Sequence, residues 1–75
     1  MKDDPGAVDR RRELVQRLVS LRKSRGLTQT EVARRMGIVQ GSVQSIERGD
    51  DPRISTIFRY ARALGAQVTF NVTDA

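Results

Sequence analysis

The side chains that most often act on another molecule are unevenly supplied in this 75-residue chain: 14 lysines and arginines stand against 9 aspartates and glutamates, and cysteine and histidine are absent. Their absence removes disulfides, thiol nucleophiles, the usual zinc sites and the group that most often moves protons near neutral pH. Enzymatic chemistry is therefore not expected, and no cofactor or metal is required. What remains is non-covalent recognition, and a formal charge of +5 with a pI of about 11.1 points to a polyanionic partner. Arg10, Arg11 and Arg12 form a basic cluster, but such a cluster on an exposed helix face is more often solvated than engaged.

The elements that position these groups must be few. The length suits one domain and leaves little room for both a core and an enclosed active site. With 37% hydrophobic and 4% aromatic residues, the core is small and aliphatic, so a homodimer is expected to complete it. No apolar stretch approaches the roughly 18 residues that span a bilayer, which predicts a soluble, cytoplasmic protein with no membrane partner. Residues 1–6 read as a flexible N-terminal lead-in, 7–65 as a helical domain and 66–75 as a strand.

Hydrophobic periodicity places a first helix from about Ala7 to Arg25, with Val8, Leu14, Val15, Leu18, Val19 and Leu21 as its stripe and Gly26 as its stop. A second, of about nine residues, starts at the capping box Thr28–Glu31, carries Val32, Ala33 and Met36 on one face and ends at Gly37. Leu27 and Val32 are placed to staple its entry. A third runs from Ile38 to about Arg48, with Val43 and Ile46 inward, although Val39 at its cap position has no side-chain oxygen. Gly49, Asp50, Asp51 and Pro52 form a turn, Ser55 caps a fourth helix with Ile57, Tyr60, Ala61 and Leu64 inward, and Gly65 ends it. The period then changes. Val68, Phe70 and Val72 alternate with Gln67, Thr69, Asn71 and Thr73, the pattern of a strand with one buried face. A lone strand has no ladder partner in its own chain, so pairing across a dimer through Val68, Phe70 and Val72 is expected.

Two short helices joined at Gly37, the second with a partly polar face, have the form of a helix-turn-helix. Counted from Gln29, apolar residues stand at positions four, eight, ten, fifteen and eighteen (Val32, Met36, Ile38, Val43, Ile46), with alanine at five and glycine at nine. In these residues, and in Leu27–Ala33, Met36–Ile38 and Val43–Gly49, the chain resembles the Cro/CI-type (Xre) helix-turn-helix family from about Leu21 to Leu64. Within it, Gly37–Gln40, Ser55–Phe58 and Gln67–Phe70 are similar to HipB-type antitoxins, whose terminal strand pairs across a dimer.

The resemblance implies a mostly α fold: a four-helix lambda-repressor-like domain with a C-terminal strand. It implies that the third helix enters the major groove of double-stranded DNA and presents Val39, Gln40, Gly41, Gln44 and Ser45 to base edges. Glutamine suits that task, since its amide pairs with adenine N7 and N6. Gly41 departs from the polar or small side chain usual there. Phosphate contacts are implied for Gln29, which also steadies the first recognition residue, and for Ser42, Arg48, Gly49 and Arg53. Arg22 and Glu47 match a family ion pair tying the first helix to the third.

These readings converge on a homodimeric repressor occupying a near-palindromic operator. A binding protein that neutralises a toxin while regulating its own operon is the alternative, and the short stretch before Ala75 offers little tail to cover a toxin. An RNA or architectural binder is disfavoured, because no aromatic lies on a plausible stacking surface. Reading the first helix as a membrane or calmodulin-type segment is disfavoured too, because Leu14, Leu18 and Leu21 are needed to close the core.

Overall fold

The computed structural model describes the backbone of residues 5–49 and 53–73 and the side chains from Arg10 onward. The lead-in expected at residues 1–4, the inward placement of Val8, and Asp50, Asp51 and Pro52 of the expected turn lie outside the described residues.

Four helices follow in the expected order: α1 (Pro5–Ser24), α2 (Gln29–Met36), α3 (Gln40–Arg48) and α4 (Ile54–Ala63). α2 packs against α3 and α4, while α1 packs across both α3 and α4. Val15, Leu18, Val32, Ala33, Val43, Ile57, Tyr60, Ala61, Ala63 and Leu64 form the core where the four meet, with Leu14, Val19, Leu21, Leu27, Met36, Ile38 and Ile46 around it. Val32, Val43 and Tyr60 are wholly withdrawn from solvent, and burying an aliphatic side chain of this size contributes about 1.5–3 kcal/mol.

Local chemistry explains the boundaries. Thr28 accepts the Glu31 N–H at 3.0 Å, which starts α2. The Glu31 carboxylate turns instead to Arg34 (2.8 Å) and Arg35 (3.6 Å), so the capping box is engaged on the threonine side. At the other end Gly37 adopts φ 70°, a left-handed conformation that a side chain would strain. The Gly37 and Ile38 N–H groups then bond back to Arg34 O (3.2 Å) and Ala33 O (3.0 Å), the paired bonds that reverse a chain after a helix.

Three expectations are corrected. α1 begins at Pro5, which is favourable in a first turn because its missing N–H would be unpaired there anyway. α3 begins at Gln40, since Ile38 and Val39 lie in the extended connection and Val39 caps without a side-chain bond. Ser55 does not cap α4: the helix is entered from Arg53, whose carbonyl accepts the Ile57 N–H at 3.0 Å, leaving Ser55 inside the first turn.

Among the described residues no strand forms, and residues 66–73 carry no regular element. The alternation of Val68, Phe70 and Val72 is real, but a strand requires a ladder of backbone bonds and this chain alone supplies no second edge. Val68 packs on the core, Phe70 stacks edge-on against Phe58 with ring centres 5.7 Å apart, and Val72 is 97% exposed.

Candidate nucleic-acid interface

α3 is amphipathic in the sense that matters for docking. Val43 is buried and Ile46 half-buried, whereas Val39, Gly41, Ser42, Gln44, Ser45 and Arg48 are exposed. Of the five residues expected to read bases, four are therefore open and the fifth, Gln40, is half-buried. Open space surrounds Gly41, with nothing within 4 Å of the position a Cβ would take.

Gln40 is restrained by a chain of polar contacts running into the core. Its Nε2 donates to Gln29 Oε1 at 2.7 Å, and Gln29 Nε2 donates to Glu47 Oε1 at 2.8 Å. Glu47 also accepts Arg22 Nε at 2.7 Å and Nη2 at 3.2 Å, and the Tyr60 hydroxyl at 2.5 Å. Arg22 in turn donates Nη1 to Leu27 O at 2.7 Å, which fastens the loop between α1 and α2. The expected Arg22–Glu47 contact is thus a bidentate ion pair with both side chains only 10% exposed.

Burial alone would raise the Glu47 carboxyl, but the hydrogen bonds from Arg22, Tyr60 and Gln29 and the charge of Arg22 outweigh it and hold its pKa below the ordinary 4.5. Arg22 is held above its ordinary value, because bonding and attraction to Glu47 overcome its own burial. Burial, then the bond and charge of Glu47, push the Tyr60 hydroxyl up, so it stays protonated as a donor.

Among the residues expected at phosphate, Gln29 is half-buried at the start of α2, Ser42 and Arg48 are exposed on α3, and Arg53 is exposed at the entry to α4. Arg48 donates to Ser45 Oγ at 3.1 Å. Gly49 departs from expectation. It is buried, its N–H is used to close α3 on Ile46 O at 3.1 Å, and its carbonyl accepts Arg12 Nε at 3.0 Å, so it has no N–H to offer a phosphate.

The sequence reading missed two features. Tyr60 reads as an apolar core position, yet a buried tyrosine hydroxyl nearly always has a partner, and Glu47 supplies it. The second is a cleft of about 390 Å³ at the C-terminal ends of α2 and α4, lined by Arg35, Met36, Arg59, Arg62, Ala63 and Gly65. Arg35 donates to Ala63 O (3.0 Å) and Arg59 to Met36 O (3.4 Å), so each helix end is strapped by an arginine of the other. A helix end carries about −0.5 charge. Two such ends and the Glu31 carboxylate, 3.6 Å from Arg35, carry about −2 against three guanidiniums, which leaves the cleft with arginine charge in excess. No motif in the sequence signals it, because its arginines are scattered over two helices.

Among the described residues no cluster of His, Cys, Asp or Glu could hold a metal ion, and no helix is long and apolar enough to cross a membrane.

Comparison with known proteins adds family context. A helix-turn-helix family model matches residues 18–70. The chain is 50% identical over 58 residues to the antitoxin HigA1 of Mycobacterium tuberculosis, in strains CDC 1551 / Oshkosh and ATCC 25618 / H37Rv. That match covers 76% of this chain and 39% of HigA1, so the chain spans well under half the length of these curated relatives. It is 39% identical over 59 residues to the uncharacterized HTH-type transcriptional regulator y4dJ of Sinorhizobium fredii (strain NBRC 101917 / NGR234), covering 77% of each. No solved structure matches the chain.

Proposed function

This chain belongs to the helix-turn-helix family of DNA-binding regulators, and from that premise we propose that it is a homodimeric, sequence-specific repressor of a near-palindromic operator. The observation that carries this reading is the outer face of α3: an exposed set of Val39, Gly41, Gln44 and Ser45 beside a Gln40 amide held in place by Gln29. Two copies of α3 related by a two-fold axis would enter successive major grooves about 34 Å apart. Gln40 and Gln44 read bases, while Gln29, Ser42, Arg48 and Arg53 hold phosphates and set the register. Repression follows from occupancy of the operator in the cytoplasm, at the nucleoid, with no catalytic step.

The dimer would be completed by residues 66–75, with Val68, Phe70 and Val72 at the interface. The 97% exposure of Val72 and 59% exposure of Phe70 favour a partner on that segment. Selection of bound duplexes from a randomised pool, run in parallel with Gln40→Ala, tests the reading. A two-fold symmetric motif that changes at one position per half-site in the variant is the expected result; no enriched motif from a folded protein refutes it.

The second reading, an antitoxin that also regulates its own operon, is favoured by the 50% identity to HigA1 antitoxins. The arginine cleft offers an acidic protein partner a surface separate from the α3 face. Arg35 stands six residues beyond Gln29, about 9 Å along α2 and about 120° around it. Co-purification with the product of an adjacent gene, lost in Arg59→Glu/Arg62→Glu while operator binding persists, supports that assignment; a solitary protein counts against it.

A further inference from the structure

Guanidiniums from two helices converge on the cleft at the C-terminal ends of α2 and α4: Arg35 from the first, Arg59 and Arg62 from the second. A helix C-terminus on its own repels anions, but here each end is already met by a cation. Arg35 donates to Ala63 O at 3.0 Å and Arg59 to Met36 O at 3.4 Å, and both keep further N–H donors. The Arg62 guanidinium, three residues from Arg59 on the same face of α4, has no hydrogen bond or ion pair with another described residue. A solvated arginine must be ordered before it can hold a ligand. Two of these are ordered beforehand by the helix-end carbonyls, which separates the cleft from an ordinary basic face.

The surplus of arginine charge calls for an anion, and the donors select its kind. A carboxylate is satisfied by one guanidinium fork, which takes both of its oxygens. Several forks around one cleft suit a group with three terminal oxygens, and a phosphate monoester has them, with a charge of about −1.5 to −2 near neutral pH. The space of about 390 Å³ is more than inorganic phosphate fills and falls within the range of small-molecule sites. Met36 and Ala63 supply an apolar wall, and no aromatic lines the cleft to stack a nucleobase. The body that fits beside the phosphate is of sugar size.

We infer that the cleft binds a small phosphate monoester of sugar-phosphate size, with Arg59 and Arg62 as its main phosphate ligands and Arg35 as a further donor. Neither functional reading given above requires such a ligand. The site lies at the end of α2 away from Gln29, about 10 Å along the helix, so it can be filled while the α3 face is engaged. An acidic protein reaching for the same guanidiniums would be excluded by it. The ligand would therefore oppose a protein partner at the cleft and leave operator binding alone.

Titration of the full chain with ribose-5-phosphate at constant ionic strength, followed through the arginine Nε–H resonances by NMR, tests the site. The Arg59 and Arg62 signals are expected to move and saturate, while that of Arg17, paired with Glu13 on α1, stays in place. The sugar phosphate should bind more tightly than inorganic phosphate by about fourfold or more, the effect of burying one methylene-sized group, and ribose should not bind. Arg62→Gln removes a guanidinium that ties no element of the fold. It should keep the parent's melting curve and duplex affinity and weaken the sugar phosphate by about tenfold or more, as loss of a hydrogen bond to a charged group does. Shifts that fail to saturate, inorganic phosphate binding as well as the ester, or undiminished binding by Arg62→Gln overturn the inference. Succinate binding as tightly as the sugar phosphate also overturns it, and gives the cleft to carboxylates and so to an acidic protein. A fall in duplex affinity in Arg62→Gln overturns it by making the cleft a DNA contact. The ligand titration uses no DNA, so failure of the operator-binding reading shows separately.

Discussion

Replacing Arg22 by methionine keeps the long apolar stem that crosses from α1 towards α3 but removes the guanidinium from Glu47. Breaking a buried ion pair by deleting one partner typically costs 3–5 kcal/mol, because the other charge is left unpaired. Of the four hydrogen bonds that Glu47 accepts, those from Tyr60 and Gln29 survive, so a loss near the lower end, about 3 kcal/mol, is expected. For a domain of this size that lowers the melting temperature by about 12–24 °C, readable by circular dichroism at pH 7. The pH dependence is the sharper test. In the parent the folded-state pKa of Glu47 lies below the ordinary 4.5, so its contribution is complete above that value and is lost as pH falls through the lowered pKa. Without Arg22, burial becomes the dominant influence and the folded-state pKa moves above the unfolded one. The variant then gains stability relative to the parent as pH falls, and the gap between their melting curves narrows. A loss under about 1 kcal/mol, the scale of a surface pair, or a gap that widens on acidification, would refute the assignment of Glu47 as a buried anion held by Arg22.

Three further outcomes are expected. Arg53→Ala should weaken binding to every duplex and reduce the slope of log affinity against log salt by about one unit; an unchanged slope removes Arg53 from the phosphate contacts. Phe70→Asp/Val72→Asp should give monomers by light scattering, and a surviving dimer excludes residues 66–75 as the interface. Thr28→Ala should cost about 1 kcal/mol through loss of the bond to the Glu31 N–H, with the melting temperature falling by about 4–8 °C; a change within about 1 °C would mean that water caps α2 equally well.

What could be read ahead of the structure follows from how local each determinant is. Thr28, Glu31 and Gly37 act within a few residues of themselves, and α2 begins and ends where they place it. Ser55 misled because its type suits a cap, yet α4 is entered two residues earlier, at an arginine with no capping side chain. A strand at 67–73 is a statement about a neighbour as well as about alternation, and among the described residues this chain supplies none. Tyr60 illustrates the limit for the site. Periodicity puts it inside, but only the packing of α3 and α4 onto α1 and α2 brings its hydroxyl to Glu47. The arginine cleft is the extreme case, assembled from residues of α2 and α4 whose contacts span 23 and 28 positions of the chain.

One consequence lies in how α3 is mounted. Its first residue is tied to α2 by the Gln29–Gln40 bond, and the residue just past its end is tied to α1 by Arg12 on the Gly49 carbonyl. Nine residues make a rod of about 13.5 Å, so moving the Arg12 mooring by about 1 Å swings the rod by about 4° while its front end stays pinned. Substitutions in α1, on a helix that presents no side chain to DNA in the reading above, can therefore change the yaw of the reading head. Under the proposed operator-binding reading the first helix therefore acts on the aim of α3, from the end opposite the Gln29–Gln40 tie.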